Sequence, residues 1–192
     1  MYLRHLDPQL MNISTHDLSP PSSSPTHNGI YTLEKLQVEI ANGPEKWRPL
    51  VFTNGCFDLL HVGHVRYLQT AKSLGKTLVV GLNSDRSVRA IKPPQPGYPP
   101  RPIVPEAQRA EILAGLKSVN GVVIFTETTA TKLIQNLQPD FYVKGGDYQI
   151  DHLPEAPTVQ AYGGKIKLVK VEIASSTSAI VAKILSTRLD KT

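Results

Sequence analysis

Short apolar runs alternate with amphipathic segments from about residue 30 to the end of the chain. Continuous runs rich in Val, Leu and Ile are typical of strands covered on both faces. The predicted strands are Leu50–Thr53, Thr77–Leu82, Gly121–Phe125, Phe141–Val143 and Ile166–Val171. Their alternation with helices predicts an α/β fold, a Rossmann-like doubly wound parallel sheet of about five strands with helices on both faces.

Segments with apolar residues at helical spacing separate these strands. The predicted helices, after a short first helix capped by Thr32, are Val62–Ser73, Asp85–Ile91, Glu106–Leu116, Ala130–Leu137 and Thr177–Leu185. Ligands of such sheets bind outside the carboxyl ends of the strands. Polar residues cluster at three of these ends, in 54–64, 83–85 and 144–148. We therefore expect a site at that edge.

Two segments depart from the alternating pattern. Residues 1–29 contain the run Ser19–Pro25 and are predicted to form a disordered tail, because they cannot bury enough apolar surface to offset chain entropy. Met11 is an alternative start within this tail, and residues 30–192 form the predicted domain. Residues 92–105 hold seven of the sixteen prolines. They predict an extended, semi-rigid loop that serves as a spacer or an active-site flap.

Composition narrows the class of protein. The net charge of +5 is dispersed along the chain, which suits anionic small substrates and does not indicate nucleic acid. We find no membrane-spanning run and no signal peptide, so the sequence favours a cytoplasmic protein. The single cysteine, Cys56, excludes an intrachain disulfide, and a packing role is favoured over that of a nucleophile.

The loop after the first strand carries the most informative chemistry. It contains Gly55 and Asp58 and ends in His61-Val62-Gly63-His64, which places two histidines on one face of the first helical turn. Free N–H groups and the helix dipole attract anions there. Glycine lets backbone approach a phosphate. Imidazoles are directional donors whose charge adjusts near neutral pH. The pattern predicts an enzyme that binds a nucleoside triphosphate.

Other groups add to this hypothesis, each beside an ordinary structural explanation. Asp58 either caps backbone amides or helps to hold Mg²⁺. Lys92, Arg101 and Arg109 flank the proline loop and either close over phosphates or remain solvated. The hydroxyls of Ser175–Ser178 are suited both to capping the last helix and to binding phosphate. A zinc pair is disfavoured, because no third His or Cys ligand other than Cys56 is near.

These motifs resemble a known superfamily. The segment Phe52–Leu68, with its His-x-Gly-His signature, and the terminal Ser175–Ser178 resemble the nucleotidyltransferases that include the cytidylyltransferases. Within them the chain is most similar to the D-glycero-β-D-manno-heptose 1-phosphate adenylyltransferases, the ADP-heptose synthase domain. That similarity also involves residues 80–85, Arg101-Pro102, residues 109–111 and residues 143–148, within a total span of about residues 30 to 186.

The resemblance implies transfer of AMP from ATP to a phosphorylated sugar, with Mg²⁺ and release of pyrophosphate. It implies that His61 and His64 stabilise the transition state, that Ser176 and Thr177 bind the β- and γ-phosphates, and that Lys92 is a mobile-loop lysine. Lys117 replaces an arginine common in cytidylyltransferases, which weakens a glycerol- or ethanolamine-phosphate acceptor. The proline loop is longer than in the family.

The expected roles follow from the residues and the resemblance together. Catalysis is expected of His61, His64 and Lys92. Nucleotide and cofactor binding is expected of Asn54, Gly55, Cys56, Phe57, Asp58, Gly63, Arg109, Lys144, Gly145, Asp147, Ser176, Thr177 and Ser178. Acceptor binding is expected of Asn83, Asp85, Arg101 and Lys117. No residue is assigned to a protein-held metal.

Two alternatives and two partner expectations stay open at this point. The first alternative is a cytidylyltransferase that uses CTP and an alcohol phosphate such as glycerol 3-phosphate or phosphoethanolamine. The second is a non-catalytic nucleotide-binding scaffold, against which intact His61 and His64 argue. The family also implies a homodimer. Because the chain shows no sugar-kinase segment, we expect a separate kinase in the same pathway.

Overall fold

The computed structural model describes residues 29–146, 149–170 and 176–189. These residues form a six-stranded sheet in which every neighbouring pair is parallel. The strands are β1 (Ile30–Tyr31), β2 (Leu50–Gly55), β3 (Thr77–Asn83), β4 (Gly121–Phe125), β5 (Phe141–Gly145) and β6 (Lys165–Val169). Their spatial order is β1-β4-β3-β2-β5-β6.

Helices connect the strands in this part of the chain. They are α1 (Leu33–Asn42), α2 (Pro44–Trp47), α3 (Val62–Lys72), α4 (Asp85–Ile91), α5 (Glu106–Ala114), α6 (Thr131–Leu137), α7 (Ala156–Ala161) and α8 (Thr177–Leu189). A 3₁₀ turn, Ile150–His152, precedes α7. Among the described residues, no helix combines the length and apolar character that crossing a bilayer would require.

Side chains that alternate along the central strands divide the core into two layers. On β2, Leu50 and Phe52 pack in one layer with residues of α1, α6 and α7, whereas Val51 packs in the other with α3 and α5. On β3, Val79 belongs to the first layer, and its neighbours Leu78 and Val80 belong to the second. Both faces of the sheet are thus covered, which explains why these strands are continuous apolar runs.

The chain reverses its direction of strand addition next to β2. From β2 it proceeds through β3 to β4 on one side, and it then returns to place β5 and β6 on the other. In the β2–β5 register Thr53 lies opposite Val143, so Asn54 and Lys144 follow side by side at the carboxyl edge. Such a switch point opens a crevice where ligands of doubly wound sheets bind.

The predicted class and layering are confirmed, with corrections in detail. The sheet has a sixth strand, β1, which is too short to produce a periodic signal. The helices α2 and α7, of four and six residues, were also missed, because they are too short to carry a periodic signal. Residues 92–105 form no helix, as predicted. The predicted tail, apart from Gly29, lies outside the described residues.

Substituting Gly81 by alanine tests the tight packing of the first core layer. A Cβ at this β3 position would lie 2.7 Å from Phe52 Cζ and 3.2 Å from Leu133 Cδ1. We expect Gly81→Ala to lower the free energy of unfolding by about 1–3 kcal/mol, because overpacking forces neighbours to move. Urea unfolding measures this change. The control Gly115→Ala, whose Cβ would meet nothing nearer than 3.5 Å, should change stability by less than about 0.5 kcal/mol. Equal effects would contradict the packing argument.

Candidate active site

A cleft of about 750 Å³ opens at the carboxyl edge, over the switch point between β2 and β5. A smaller cavity of about 300 Å³ adjoins it at the start of α3. The two cavities share Asn54, Gly55, Cys56, Phe57, His64, Lys144, Ser176 and Thr177. The segments that the sequence singled out at three separate places are therefore brought together around one space.

Two stacked imidazoles line these cavities, His64 in both and His61 in the smaller one. His61 is the N-cap residue of α3 and His64 lies in its first turn, with their ring centroids 3.9 Å apart. The Nδ1 atoms of both rings are buried and have no hydrogen-bond partner among the described residues. The His61 side chain does not cap the helix. Neither Nδ1 is committed to a described residue, and both histidines line a cavity at a helix end that favours anions.

The surroundings keep both histidines neutral. Burial lowers the pKa of His64 to about 4, and the nearby His61 adds to that shift because two adjacent positive rings would repel. Burial also lowers the pKa of His61. At neutral pH each ring therefore has one N–H donor and one acceptor nitrogen. A bound phosphate would place a negative charge beside these two neutral rings.

Phe57 packs beside His64. Its backbone has a φ of +43°, a left-handed conformation that is uncommon for a bulky residue. Its ring centroid lies 5.3 Å from that of His64. A Cβ at Gly55 would lie 3.0 Å from Phe57 Cε2, so glycine there makes room for this ring. Burial raises the pKa of the Cys56 thiol, which keeps it protonated and supports the packing role expected of Cys56.

Asn54 joins β2 to β5 at the floor of the cleft. Its Oδ1 accepts hydrogen bonds of 2.9 Å from Tyr142 Oη and from Lys144 Nζ. The Lys144 ammonium lies 5.7 Å from the centroid of the Tyr142 ring. Burial lowers the pKa of Lys144, whereas the carboxylate of Glu155 opposes that shift. These contacts hold the Lys144 ammonium at the floor of the cleft, which His64 also lines.

Gly145 follows Lys144 and borders the smaller cavity. A Cβ at this position would lie 2.7 Å from the Tyr67 ring, so a side chain of the protein fills the space that a ligand was expected to approach. The Tyr67 hydroxyl lies 2.6 Å from Thr53 Oγ1 and donates to the Val143 carbonyl at 3.0 Å. The glycine therefore permits close packing of α3 against β5.

Asp58 anchors the proline loop. Its fully buried carboxylate pairs with Arg101 Nε and accepts hydrogen bonds from the backbone of Ile103 and Val104, at 2.9 to 3.0 Å. Of the two roles left open from the sequence, the acceptor of backbone amides matches this arrangement. The described residues contain no group of three or more His, Cys, Asp or Glu side chains that could hold a metal ion.

Arg109 ties the loops of the site together from beneath. Its guanidinium is 1% exposed. It donates to the carbonyls of Val104 at 2.8 Å, Cys56 at 2.5 Å and Asn83 at 2.9 Å. It also forms an ion pair of 2.7 Å with Asp85. These hydrogen bonds commit the guanidinium to the protein, and Arg109 borders neither cavity. Its role is therefore to hold the surrounding loops in place beneath the cleft.

A second helix begins at the same space. Ser176 Oγ accepts a hydrogen bond from Ala179 N at 3.1 Å and so caps α8. Thr177 is buried, and Ser178 is exposed on the cleft. The N-terminal ends of α3 and α8 thus converge on the two cavities, and each supplies backbone N–H groups suited to an anion.

The remaining predicted residues divide between the cleft and other places. Lys92, Arg101 and Asn83 border the larger cavity, and Gly63 borders the smaller. Asn83 also donates to Ser87 Oγ at 2.9 Å. Lys117 is exposed in the turn between α5 and β4, which lies at the amino edge of the sheet because β4 runs parallel to its neighbours. It is not brought to the site. Asp147 and Ser175 lie outside the described residues.

Besides Gln95 and Tyr98 of the proline loop, four polar cleft residues were missed from the sequence. They are Thr128, Thr129, His152 and Glu155. Thr128 and Thr129 follow β4, whose carboxyl end carries no glycine or charged motif, and the other two lie between β5 and α7. Position after a strand was the only signal that pointed to the threonines, and the short helix α7 was itself unpredicted.

Comparison with known proteins identifies the family of the chain. The model of the cytidylyltransferase-like family matches residues 52–189. The chain is 48% identical over 157 residues to bifunctional protein HldE of Citrifermentans bemidjiense, a match that covers 82% of this chain and 31% of that protein. It is 49% identical over 150 residues to bifunctional protein HldE of Geobacter metallireducens, covering 78% and 29%. The chain therefore spans less than a third of these relatives.

One solved structure is also similar to this chain in fold. The lipopolysaccharide core biosynthesis protein from Thermoplasma volcanium superposes with a TM-score of 0.53 at 28% identity, covering 65% of this chain and 97% of that one. The chain belongs to the cytidylyltransferase-like family of nucleotidyltransferases. The resemblance inferred from the His-x-Gly-His and Ser-Thr motifs is confirmed.

Replacing Asp58 by asparagine tests the loop anchor. Asp58→Asn removes the charge that pairs with Arg101 and turns one acceptor oxygen into a donor that faces backbone N–H groups. We expect the free energy of unfolding to fall by about 1–3 kcal/mol, with faster hydrogen exchange at Ile103 and Val104. The control Asp151→Asn, at an exposed position, should leave both measurements unchanged. Unchanged exchange in Asp58→Asn would show that the carboxylate does not hold the loop.

The depressed pKa of His64 predicts an acid-sensitive stability. An unfolded histidine takes up a proton near pH 6.5, whereas folded His64 does so only near pH 4. Because the unfolded state binds more protons between these values, stability falls as the pH is lowered through this window, and His64 has no such effect above it. We expect thermal melts to show a smaller loss of Tm between pH 7 and pH 4.5 in His64→Gln. Equal losses would indicate that His64 titrates normally in the folded protein.

Proposed function

We propose that the protein is an adenylyltransferase that transfers AMP from ATP to a sugar 1-phosphate, D-glycero-β-D-manno-heptose 1-phosphate, and releases pyrophosphate. The observation that carries this proposal is the stacked, neutral pair His61 and His64, whose Nδ1 atoms are unpartnered among the described residues, at a helix end that opens on two joined cavities. The reacting phosphates would meet at this pair.

In the proposed reaction a phosphate oxygen of the acceptor attacks the α-phosphorus of ATP. A new bond forms between that oxygen and the α-phosphorus, and the bond from the α-phosphorus to the bridging α,β-oxygen breaks. The electron pair of the broken bond leaves with pyrophosphate. Such a reaction needs positioning and stabilisation of charge more than acid–base chemistry. The roles proposed for His61 and His64 are to donate hydrogen bonds to the phosphates.

The other side chains of the cleft are suited to the same task. We propose that Ser176 and Thr177, at the start of α8, hold the β- and γ-phosphates, and that Lys92 closes on them from the exposed loop. Lys144 supplies charge from the floor of the cleft. Mg²⁺ is proposed to enter bound to the triphosphate, where it neutralises phosphate charge and keeps several of its waters, since Asp58 is committed to the loop.

Two comparisons support a sugar phosphate as the acceptor. The relatives from Citrifermentans bemidjiense and Geobacter metallireducens are named bifunctional protein HldE, and the solved relative is named for lipopolysaccharide core biosynthesis. Because residues 52–189 match the cytidylyltransferase-like family, we propose that they carry the nucleotidyl-transfer step. A sugar kinase would supply the 1-phosphate that this step consumes.

The acceptor and the nucleotide are tested together by pyrophosphate release. The protein is incubated with Mg²⁺ and either ATP with heptose 1-phosphate or CTP with glycerol 3-phosphate. We expect release only in the first mixture, with a product whose mass equals the sugar phosphate plus AMP less water. Release only in the second mixture would overturn the proposal in favour of a cytidylyltransferase. Release in neither would favour a non-catalytic nucleotide-binding protein.

The histidine pair is tested by substitution. We expect His64→Ala to lower kcat by ~10²–10³-fold, since this is the typical effect of losing a preorganised donor to transition-state charge. Tm at pH 7.5 should change little. The matched control is Arg66→Ala on the exposed face of α3, which should retain full kcat. A large loss of Tm with kcat preserved would show that the pair has a structural role.

A further inference from the structure

The larger cavity extends beyond the residues that were assigned to phosphate. Its lining includes Thr128, Thr129, His152 and Glu155, which we call the distal wall. None of these four borders the smaller cavity, which contains His61 and Gly63 at the start of α3. The distal wall therefore lines a part of the larger cavity that the start of α3 does not share, and a second substrate would lie there.

Glu155 is the unusual member of this wall. It is 3% exposed and occupies the N-cap position of α7, yet its side chain does not cap that helix. Its Oε1 accepts a hydrogen bond from the backbone N–H of Ala130 at 3.1 Å. Its Oε2 is buried and has no partner among the described residues. A buried acceptor left unsatisfied is costly, so a partner from outside the described residues, such as a water, an ion or a ligand hydroxyl, is expected at Oε2.

The polar groups of the distal wall indicate the class of ligand that would bind against it. A carboxylate oxygen accepts hydrogen bonds and repels phosphate, whereas threonine hydroxyls both donate and accept. Of the three lysines and arginines of the larger cavity, Lys92 and Arg101 lie on the proline loop and are suited to the acceptor's phosphate, whereas Lys144 lies on β5 and interacts electrostatically with Glu155. A ligand with a phosphate at one end and several hydroxyls at the other matches this distribution of charge. A sugar phosphate is such a ligand.

We propose that Glu155 determines acceptor specificity, its Oε2 accepting a hydrogen bond from a hydroxyl of the sugar bound against the distal wall. This inference rests on the proposed function and adds to it the residue that recognises the sugar. Thr128, which is exposed on the same wall, provides a second polar contact. The nucleotide makes no contact with Glu155 in this arrangement.

Steady-state kinetics of Glu155→Gln test the inference. Glutamine can keep the acceptor for Ala130 N, but it replaces the second oxygen with an NH₂ group that cannot accept the sugar hydroxyl. We expect the KM for heptose 1-phosphate to rise ~10–100-fold, the typical effect of losing a hydrogen bond to a charged group. The KM for ATP and the Tm should stay unchanged. The matched control is Glu127→Gln, whose side chain is exposed, outside the larger cavity and paired with Lys132 at 3.6 Å. It should leave both KM values unchanged.

The outcomes separate this inference from the proposed function. Turnover of heptose 1-phosphate by the wild type with an unchanged acceptor KM in Glu155→Gln would overturn the inference alone. An equal rise in the KM for ATP would do the same, by assigning Glu155 to the nucleotide or to the fold. Absence of wild-type turnover with any sugar 1-phosphate would overturn both.

A second variant covers the case in which Glu155→Gln is destabilised. Thr128→Val preserves shape on an exposed part of the wall and removes only the hydroxyl. We expect it to raise the KM for heptose 1-phosphate ~3–10-fold, as loss of a neutral hydrogen bond does, without changing the KM for ATP. An unchanged acceptor KM in this variant would overturn the assignment of the distal wall.

Discussion

The buried guanidinium of Arg109 is the constraint on which the arrangement of the site depends. One side chain on α5 binds the loop after β2, the end of β3, the start of α4 and the exit of the proline loop. A buried cation that loses its partners is strongly destabilising, so these segments are held in place relative to one another. The segments that Arg109 holds in this way carry side chains that line the cleft.

Two kinds of polar residue lie at the carboxyl edge of the sheet: those that pair within the protein and hold the loops, and those that keep polar atoms unpaired among the described residues. Asp58 pairs with Arg101 and with backbone N–H groups, and Arg109 pairs with Asp85 and with backbone carbonyls. These contacts keep the loops in position. His61 and His64 instead keep nitrogen atoms unpaired within the described residues, at the cost of depressed pKa values. This division is what a site for anionic substrates requires, because preorganised donors need a rigid support and no competing partner.

Much of the fold was predictable, and particular elements show why. The helix Asp85–Ile91 and the strand Gly121–Phe125 have the predicted bounds. Strong periodicity, a Ser84 cap and flanking glycine or proline mark such elements locally. The two-residue strand β1 and the helix α7 carry no such signal, because their stability comes from packing on β4 and in the first core layer. In the same way, no local pattern indicated that Glu155 would lie in the cleft.

The sequence by itself determined the class of fold, the family and the histidine-bearing loop, because these depend on periodicity and on motifs that are contiguous in the chain. Only the tertiary structure decided which charged residues are open and which are committed. Arg101 and Arg109 look alike in sequence, and each pairs with an aspartate, yet Arg101 borders the cleft and Arg109 lies buried beneath it. Lys117 is at the opposite edge. Burial and pairing depend on contacts between residues far apart in the chain, and a local pattern does not contain them.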